Sequence, residues 1–203
     1  MIEAGQILSV AILVFDGVEE LDFVGPWEVF TMAKAAGAPL NPFTVGWQST
    51  AITCAKGLRV TADHAFSEAP HADIVVIPGG KGTRPLAADD AFNTAIRPYL
   101  AAASWQTSVC TGSILLGRAG FLEGRRATTH HNALEFLRIH APNTEIVNQR
   151  VVRDGCIVTS AGVSAGIDMS LWLVGHLFGE TMARTTQSHM EYFPEPPYGT
   201  PSR

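Results

Sequence analysis

Residues 107–113 read Thr-Ser-Val-Cys-Thr-Gly-Ser, and this short stretch decides the fold that we expect for the 203-residue chain. A strand pattern at Thr107–Val109 runs directly into Cys110, and a helix pattern begins at Gly112. A tight strand-to-helix turn of this kind is typical of a nucleophile elbow, which pushes one side chain out over a sheet. The helix amino terminus carries partial positive charge, so we expect it to lower the pKa of the thiol. The alternative is that Cys110 is only a small buried hydrophobe.

Strand and helix patterns alternate on both sides of this turn. Continuous apolar runs at Leu8–Phe15 and Ile74–Ile77 predict strands that are buried on both faces. Helical periodicity predicts helices at 22–36, 90–103, 112–119, 132–139, 165–178 and 180–191. The helix at 165–178 is apolar nearly all round, so we expect it to be buried. The alternation predicts an α/β fold with a mostly parallel central sheet between two layers of helices.

The remaining patterns are local. Asp154–Gly155 predicts the turn of a hairpin that joins Val151–Arg153 to Cys156–Thr159. Residues 194–198 contain three prolines and predict an extended tail. Because no linker, low-complexity tract or repeat interrupts the chain, we expect a single domain over residues 1–203, with its core at about 8–192.

Composition excludes several classes of function. The chain has 14 Lys+Arg, 19 Asp+Glu and a net charge of −5, and its scattered basic residues do not suit a nucleic-acid binder. It contains no apolar run near the roughly 20 residues of a membrane-spanning helix and no secretory signal pattern. Cys54, Cys110 and Cys156 are too far apart for a zinc site or a disulfide framework, which indicates a reducing compartment. We therefore expect a cytoplasmic protein.

Two further strand ends carry residues that suit catalysis, because ligands of open parallel sheets gather at the carboxyl ends of the strands. Asp22 follows the first strand between apolar neighbours and is an acid/base catalyst with a raised pKa, one more solvated carboxylate beside Glu19 and Glu20, or the N-cap of a helix. Gly79 and Gly80 form either a simple turn or a source of backbone N–H groups for a developing negative charge. Their G-G-x-G run lacks the features of a phosphate loop.

His130 is a candidate substrate-binding residue at the same face of the sheet. It follows Ala-Thr-Thr and precedes His131, so a thiol–imidazole pair with Cys110 and a metal site are both hypotheses. A metal site needs a third ligand that the sequence does not supply, and we expect none. Cys54 and Cys156 have no activating neighbours and are interpreted as structural.

Seven motifs give the chain a resemblance to the ThiJ/PfpI superfamily, and within it to the isonitrile hydratases. The resemblance extends from about Leu8 to Tyr198. Its motifs are Glu20–Pro26, Ile77–Gly80, Ser108–Ser113, Arg125–His130, Val151–Gly155, Ala165–Asp168 and Glu191–Tyr192. The resemblance implies a flavodoxin-like three-layer sandwich, a homodimer and a catalytic cysteine at position 110.

Two positions separate the branches of this superfamily. Protease and amidase members place His after the cysteine, where this chain has Thr111, and deglycase and redox-protective members carry Glu where it has Asp22. Asp with a C-T-G run is the hydratase pattern. His131 replaces an aromatic residue of that pattern, which bears on the shape of the substrate pocket. A branch fused to a DNA-binding helix-turn-helix shares some motifs, but we expect no such region here.

The implied reaction is the hydration of a small isonitrile, R–N≡C, to an N-substituted formamide, with no metal or organic cofactor. Cys110 is the expected nucleophile, Asp22 the general acid/base, and Thr111 a residue that positions water. Backbone N–H groups of Gly79, Gly80 and Thr111 are expected to stabilise developing charge. Two alternatives stay open: a glyoxalase or deglycase that acts on 2-oxoaldehydes, and a non-catalytic redox sensor in which Cys110 is oxidised to a sulfinate.

Overall fold

The computed structural model describes residues 6–195, which form eleven strands and seven α-helices. The strands are β1 (Leu8–Val14), β2 (Leu40–Gly46), β3 (Ala51–Thr53), β4 (Arg59–Thr61), β5 (His64–Ala65), β6 (Ile74–Ile77), β7 (Trp105–Val109), β8 (Arg126–Ala127), β9 (Glu145–Ile146), β10 (Val151–Asp154) and β11 (Ile157–Ser160). The helices are α1 (Glu20–Ala35), α2 (Thr83–Ala88), α3 (Asp90–Ala102), α4 (Gly112–Arg118), α5 (Leu134–His140), α6 (Ala165–Phe178) and α7 (Glu180–His189).

Seven strands form the central sheet in the order β10-β11-β7-β6-β1-β2-β5. All neighbouring pairs run parallel except β10 and β11, which form the antiparallel hairpin. Helices flank the sheet in two groups. Helices α1, α6 and α7 pack against one another, and in the second group α2 packs against α3 and α4, and α4 packs against α5. The predicted α/β fold with a mostly parallel sheet is confirmed. Strands β1 and β6 are almost wholly buried, which explains their continuous apolar sequences.

The strand order places the candidate residues together. Strands β7, β6 and β1 are adjacent and parallel, so their carboxyl ends meet at one edge of the sheet. Cys110 follows β7, Gly79 and Gly80 follow β6, and Asp22 lies just beyond β1. An isolated bridge between Val18 and Gly80 joins the last two segments directly.

Helix α1 begins two residues earlier than its periodicity predicted, and this changes the role of Asp22. Glu19 occupies the N-cap position, so Asp22 lies inside the first helical turn and the N-cap interpretation was wrong. From that turn the Asp22 side chain faces the protein interior, where it is fully buried.

Helix α6 has the predicted bounds but not the predicted burial. Trp172 is 36% exposed and His176 is also exposed, because α6 lies in an outer layer and needs only one face to cover the sheet and α1. The hairpin turn is shifted by one residue, since Asp154 pairs with Ile157 and leaves Gly155 and Cys156 at its centre. Helix α2 had not been predicted.

The remaining expectations concern the chain ends and membranes. Residues 196–198 of the expected extended tail lie outside the described residues. Between residues 6 and 195 no helix combines the length and the apolar character that crossing a membrane requires.

Candidate active site

Cys110 occupies the turn between β7 and α4 in a strained conformation. Its φ angle is 56°, in the left-handed region that non-glycine residues rarely adopt. The backbone N–H of Cys110 donates to the carbonyl groups of Ser160, at 3.1 Å, and Ala161, at 3.0 Å. Its carbonyl oxygen accepts hydrogen bonds from the hydroxyl groups of Thr129, at 3.0 Å, and Ser113, at 3.2 Å. These contacts anchor the peptide groups on both sides of the cysteine and hold the strain in place.

Two glycines allow the turn to pack closely against β6. A Cβ atom on Gly112 would collide with the carbonyl oxygen of Ile77. A Cβ atom on Gly79 would lie 2.5 Å from the backbone nitrogen of Thr111 and 2.8 Å from Oδ2 of Asp22. Only glycine fits at either position, because real Cβ contacts are not that short.

Asp22 lies beneath the cysteine as a fully buried carboxyl group. Its Oδ2 atom accepts a 2.9 Å hydrogen bond from the N–H of Gly79, while Oδ1 has no hydrogen-bond partner. Burial raises the pKa of Asp22 to about 7, with a further increase from the charge of Glu19, and the bond from Gly79 opposes this shift. The raised pKa predicted from the apolar neighbours is confirmed, and burial is its main cause.

The pKa of Cys110 moves in the opposite direction from our prediction. Burial, followed by the negative charge of Asp22, raises it to about 12. Backbone N–H groups of Thr111 and Val163 stabilise the thiolate and reduce this shift, but they do not reverse it. The expectation of a lowered pKa was wrong, because the field of the short helix α4 is weaker than the cost of placing a thiolate in a buried site beside a carboxylate.

The N–H groups of Gly79 and Gly80 are already engaged in hydrogen bonds. Gly79 donates to Asp22, and Gly80 donates to the hydroxyl oxygen of Thr111 at 3.0 Å. The Thr111 hydroxyl also lies 3.1 Å from that of Thr83 and 3.3 Å from the Gly80 carbonyl oxygen. In this structure the two glycines therefore position Asp22 and Thr111, whereas we had expected their N–H groups to face the substrate.

A cleft of about 220 Å³ opens above the thiol. Its lining residues are Glu19, Gly80, Arg84, Cys110, Thr111, His130, Asn132, Ala133 and Val163. Asp22 does not line the cleft, and it therefore reaches a bound molecule only at the position of the reacting sulfur. The cleft is small, so it suits a compact substrate.

His130 lines this cleft, but no hydrogen bond joins it to Cys110 among the described residues. Its Nδ1 atom accepts a 3.1 Å hydrogen bond from the backbone N–H of Asn132, and its ring stacks on that of His131 at 4.3 Å. Burial and the neighbouring His131 lower the pKa of His130, so the imidazole is neutral at pH 7. Within residues 6–195 no group of three His, Cys, Asp or Glu side chains is arranged to hold a metal ion.

Sequence reasoning missed three residues of the site. Val163 has a φ angle of 48°, an outlier for a β-branched residue, and its N–H faces the Cys110 sulfur. Glu19 lines the cleft and is ion-paired with Lys56, and Arg84 also lines the cleft. Glu19 follows the carboxyl end of the first strand, where ligands of parallel sheets gather, so its position could have marked it as a site residue. Nothing in the local sequence marks Val163 or Arg84.

The other two cysteines lie outside the cleft. Cys54 is buried and Cys156 is exposed at the hairpin turn, and neither forms a disulfide. The pKa of Cys54 is raised by burial and by the carboxylates of Glu20 and Asp16, which opposes thiolate formation. No feature of their surroundings adds to the chemistry of Cys110.

A family model, related sequences and a solved structure all resemble the chain over most of its length. A model of the DJ-1/PfpI family matches residues 8–175. The chain is 38% identical to the isonitrile hydratase of Pseudomonas putida, over 96% of this chain and 83% of that protein. It is 24% identical to the glutathione-independent glyoxalase DJ-1 of Schizosaccharomyces pombe, over 82% of this chain and 90% of that protein. A crystal structure of a ThiJ/PfpI family protein from Pseudomonas syringae matches with a TM-score of 0.89 and 32% identity, covering 97% of this chain and 80% of that one.

Proposed function

The chain belongs to the DJ-1/PfpI family, as its motifs had indicated, and on this premise we propose that it is an isonitrile hydratase-type enzyme with Cys110 as nucleophile. The observation that carries the proposal is the pairing of a strained thiol with a buried carboxyl group whose pKa is raised to about 7. Such a carboxyl group exchanges protons readily at neutral pH. The similarity to a named isonitrile hydratase supports the choice of reaction.

In the first step, the sulfur of Cys110 attacks the terminal carbon of R–N≡C. Because the pKa of the thiol is high, Asp22 takes the thiol proton as the carbon–sulfur bond forms, and then delivers it to the same carbon. The product is a covalent thioimidate, R–N=CH–S, and Asp22 is again ionised. The N–H groups of Thr111 and Val163 stabilise negative charge on the sulfur during this step.

In the second step, a water molecule adds to the thioimidate carbon. Asp22 accepts a proton from the water and passes it to the imine nitrogen, which gives the tetrahedral intermediate R–NH–CH(OH)–S–Cys110 and leaves Asp22 ionised again. Collapse of this intermediate breaks the carbon–sulfur bond, releases R–NH–CHO and transfers the hydroxyl proton to the sulfur. Thr111 lines the cleft, which supports a role in positioning the water, and the proposed cycle uses neither a metal nor an organic cofactor.

The test is formamide formation from cyclohexyl isonitrile, with Cys110→Ala as the variant and Cys156→Ala as the control. We expect turnover by the native protein and by Cys156→Ala, and a loss of at least about 10³-fold in Cys110→Ala. Mass spectrometry of rapidly quenched protein should find the thioimidate on Cys110. Undiminished turnover by Cys110→Ala would overturn the proposed mechanism.

Two further measurements test the two other functions. Turnover of methylglyoxal without turnover of isonitriles would favour a glyoxalase, the activity named for one relative. Uptake of two oxygens at Cys110 after mild peroxide treatment, with no turnover of either substrate, would favour a redox sensor. The Asp at position 22 supports the hydratase, since the resemblance associates the other two functions with Glu.

We also propose that the protein is a cytoplasmic, single-domain homodimer without a nucleic-acid partner. One connected hydrophobic core among the described residues supports a single domain. Half-exposed apolar side chains on α1 (Leu21 and Val24) and α6 (Trp172) support a homodimer. Three unpaired cysteines support a cytoplasmic location. The net charge of −5 supports a protein without a nucleic-acid partner.

A further inference from the structure

Arg84 brings a positive charge to the catalytic cleft that no described carboxylate neutralises. It lines the cleft together with Cys110. Within residues 6–195 its guanidinium forms no ion pair, as is also true of Arg59, Arg97, Arg118 and Arg153, but none of those four lines the cleft. In a chain with a net charge of −5, an exposed arginine that has no carboxylate partner and lines the same cleft as the nucleophile points to an anionic ligand.

Phe136 holds this guanidinium in place. The central carbon of Arg84 lies 5.5 Å from the centroid of the Phe136 ring, a cation–π distance. This contact positions the side chain without using any of its N–H groups. Those groups are therefore available to a planar anion, and arginine binds a carboxylate through two parallel hydrogen bonds.

The other charged groups of the cleft do not oppose an anion strongly. Glu19 lines the cleft, but Lys56 forms an ion pair with it and lies 3.9 Å from Glu20. His130 is neutral, and the carboxyl of Asp22 is buried beneath the thiol and does not line the cleft. Arg84 is therefore the cationic feature toward which the negative end of a bound molecule would orient.

We propose that Arg84 binds a carboxylate group of the substrate, so that the substrates of this enzyme are compact isonitriles that carry a carboxylate. The inference rests on the proposed function and names its substrate class. The isonitrile carbon lies at the Cys110 sulfur, and the carboxylate lies at the Arg84 side of the cleft. A cleft of about 220 Å³ has room for a short chain or one ring between them.

The experiment compares carboxylate substrates with their neutral methyl esters. Isocyanoacetate and 4-isocyanobenzoate, one short and one long, are each paired with the ester. We expect kcat/KM for at least one acid to exceed that for its ester by about tenfold, equivalent to about 1.4 kcal/mol. The preference should lie mainly in KM and should weaken as salt is added, since part of the cleft is open to solvent.

Variants of Arg84 test whether this residue causes the preference for the acid over the ester. Arg84→Gln should reduce the acid-to-ester ratio to near one, and Arg84→Lys should retain part of it. Arg97→Gln is the matched control, because Arg97 is also exposed and forms no ion pair among the described residues, but it lies on α3 outside the cleft. An acid-to-ester ratio that is near one in the native protein, or that Arg84→Gln leaves unchanged, would overturn the inference.

A binding measurement separates this inference from the proposed function. Titration calorimetry with N-formylglycine, the product expected from isocyanoacetate, and with its methyl ester requires no turnover. We expect tighter binding of the acid to the native protein and equal binding of the two compounds to Arg84→Gln. If no isonitrile is hydrated, the proposed function fails, and this comparison still decides whether Arg84 binds a carboxylate. Equal binding of acid and ester to the native protein would reject the carboxylate site.

Discussion

A 2.9 Å hydrogen bond from the backbone N–H of Gly79 to Oδ2 of Asp22 ties the end of β6 to the first turn of α1. It anchors one oxygen of the carboxyl group and leaves Oδ1 buried without a partner. A buried polar atom without a partner is costly, and a catalytic role is one of the explanations for such an atom in a native protein. Here the reason that we propose is proton transfer to and from the reacting sulfur and carbon.

The pH dependence of turnover should follow the pair formed by Asp22 and Cys110. The reaction needs one proton on this pair, so kcat/KM should fall as the pH decreases below about 7, where Asp22 becomes protonated. Asp22→Asn should lose at least about 10²-fold in kcat/KM and should show no step near pH 7. Steady-state assays from pH 5 to 9 measure the pH profile of the native protein and the loss of kcat/KM in Asp22→Asn. A step near pH 7 that persists in Asp22→Asn would assign it to another group.

The same carboxyl group should make stability depend on pH. Its pKa is about 7 in the folded protein and near 3.8 ordinarily, so the folded state favours the protonated form. This contribution is complete below about pH 4 and is lost as the pH rises through about 7. As the pH rises from about 4 to about 7, the free energy of unfolding of the native protein should therefore fall by on the order of 2–4 kcal/mol relative to that of Asp22→Asn. Urea unfolding at several pH values tests this, and a constant difference between the two proteins would contradict it.

Alkylation of Cys110 by iodoacetamide should respond to Asp22. Because the carboxylate charge helps to raise the pKa of the thiol to about 12, removing that charge in Asp22→Asn should shift Cys110 labelling to lower pH. Exposed Cys156 serves as an internal reference in each sample. Peptide mass spectrometry follows both sites. Identical Cys110 profiles in the two proteins would show that the charges are not coupled.

Gly79→Ala should damage the site through steric contact. Its new Cβ would press on the backbone of Thr111 and on Oδ2 of Asp22, so we expect at least a tenfold loss of kcat/KM and about 1–3 kcal/mol of destabilisation. The control is Gly175→Ala on α6, where a Cβ would lie 3.3 Å from the Cβ of Ala183 and far from the cleft chemistry. Kinetic assays and urea unfolding measure both effects. Native-like activity in Gly79→Ala would contradict the tight packing.

The sequence by itself determined the elements whose signals are local. Apolar runs marked β1 and β6, since a strand covered on both faces needs continuous apolar residues. The abrupt passage from β7 into α4 marked the turn that carries the thiol. With the strand order of a parallel sheet, these signals were sufficient to place Asp22, Gly79 and Cys110 at one edge.

Tertiary structure alone decided how these groups behave. The pKa of Cys110 depends on burial and on a carboxylate 88 positions away in the chain, and neither is visible in the residues around the turn. Likewise, the N–H groups of Gly79 and Gly80 are taken up by Asp22 and Thr111 only because three strand ends converge. Desolvation, Coulomb interactions and the satisfaction of buried polar groups are properties of the packed molecule, so a one-dimensional pattern names the reacting residues but does not set their protonation.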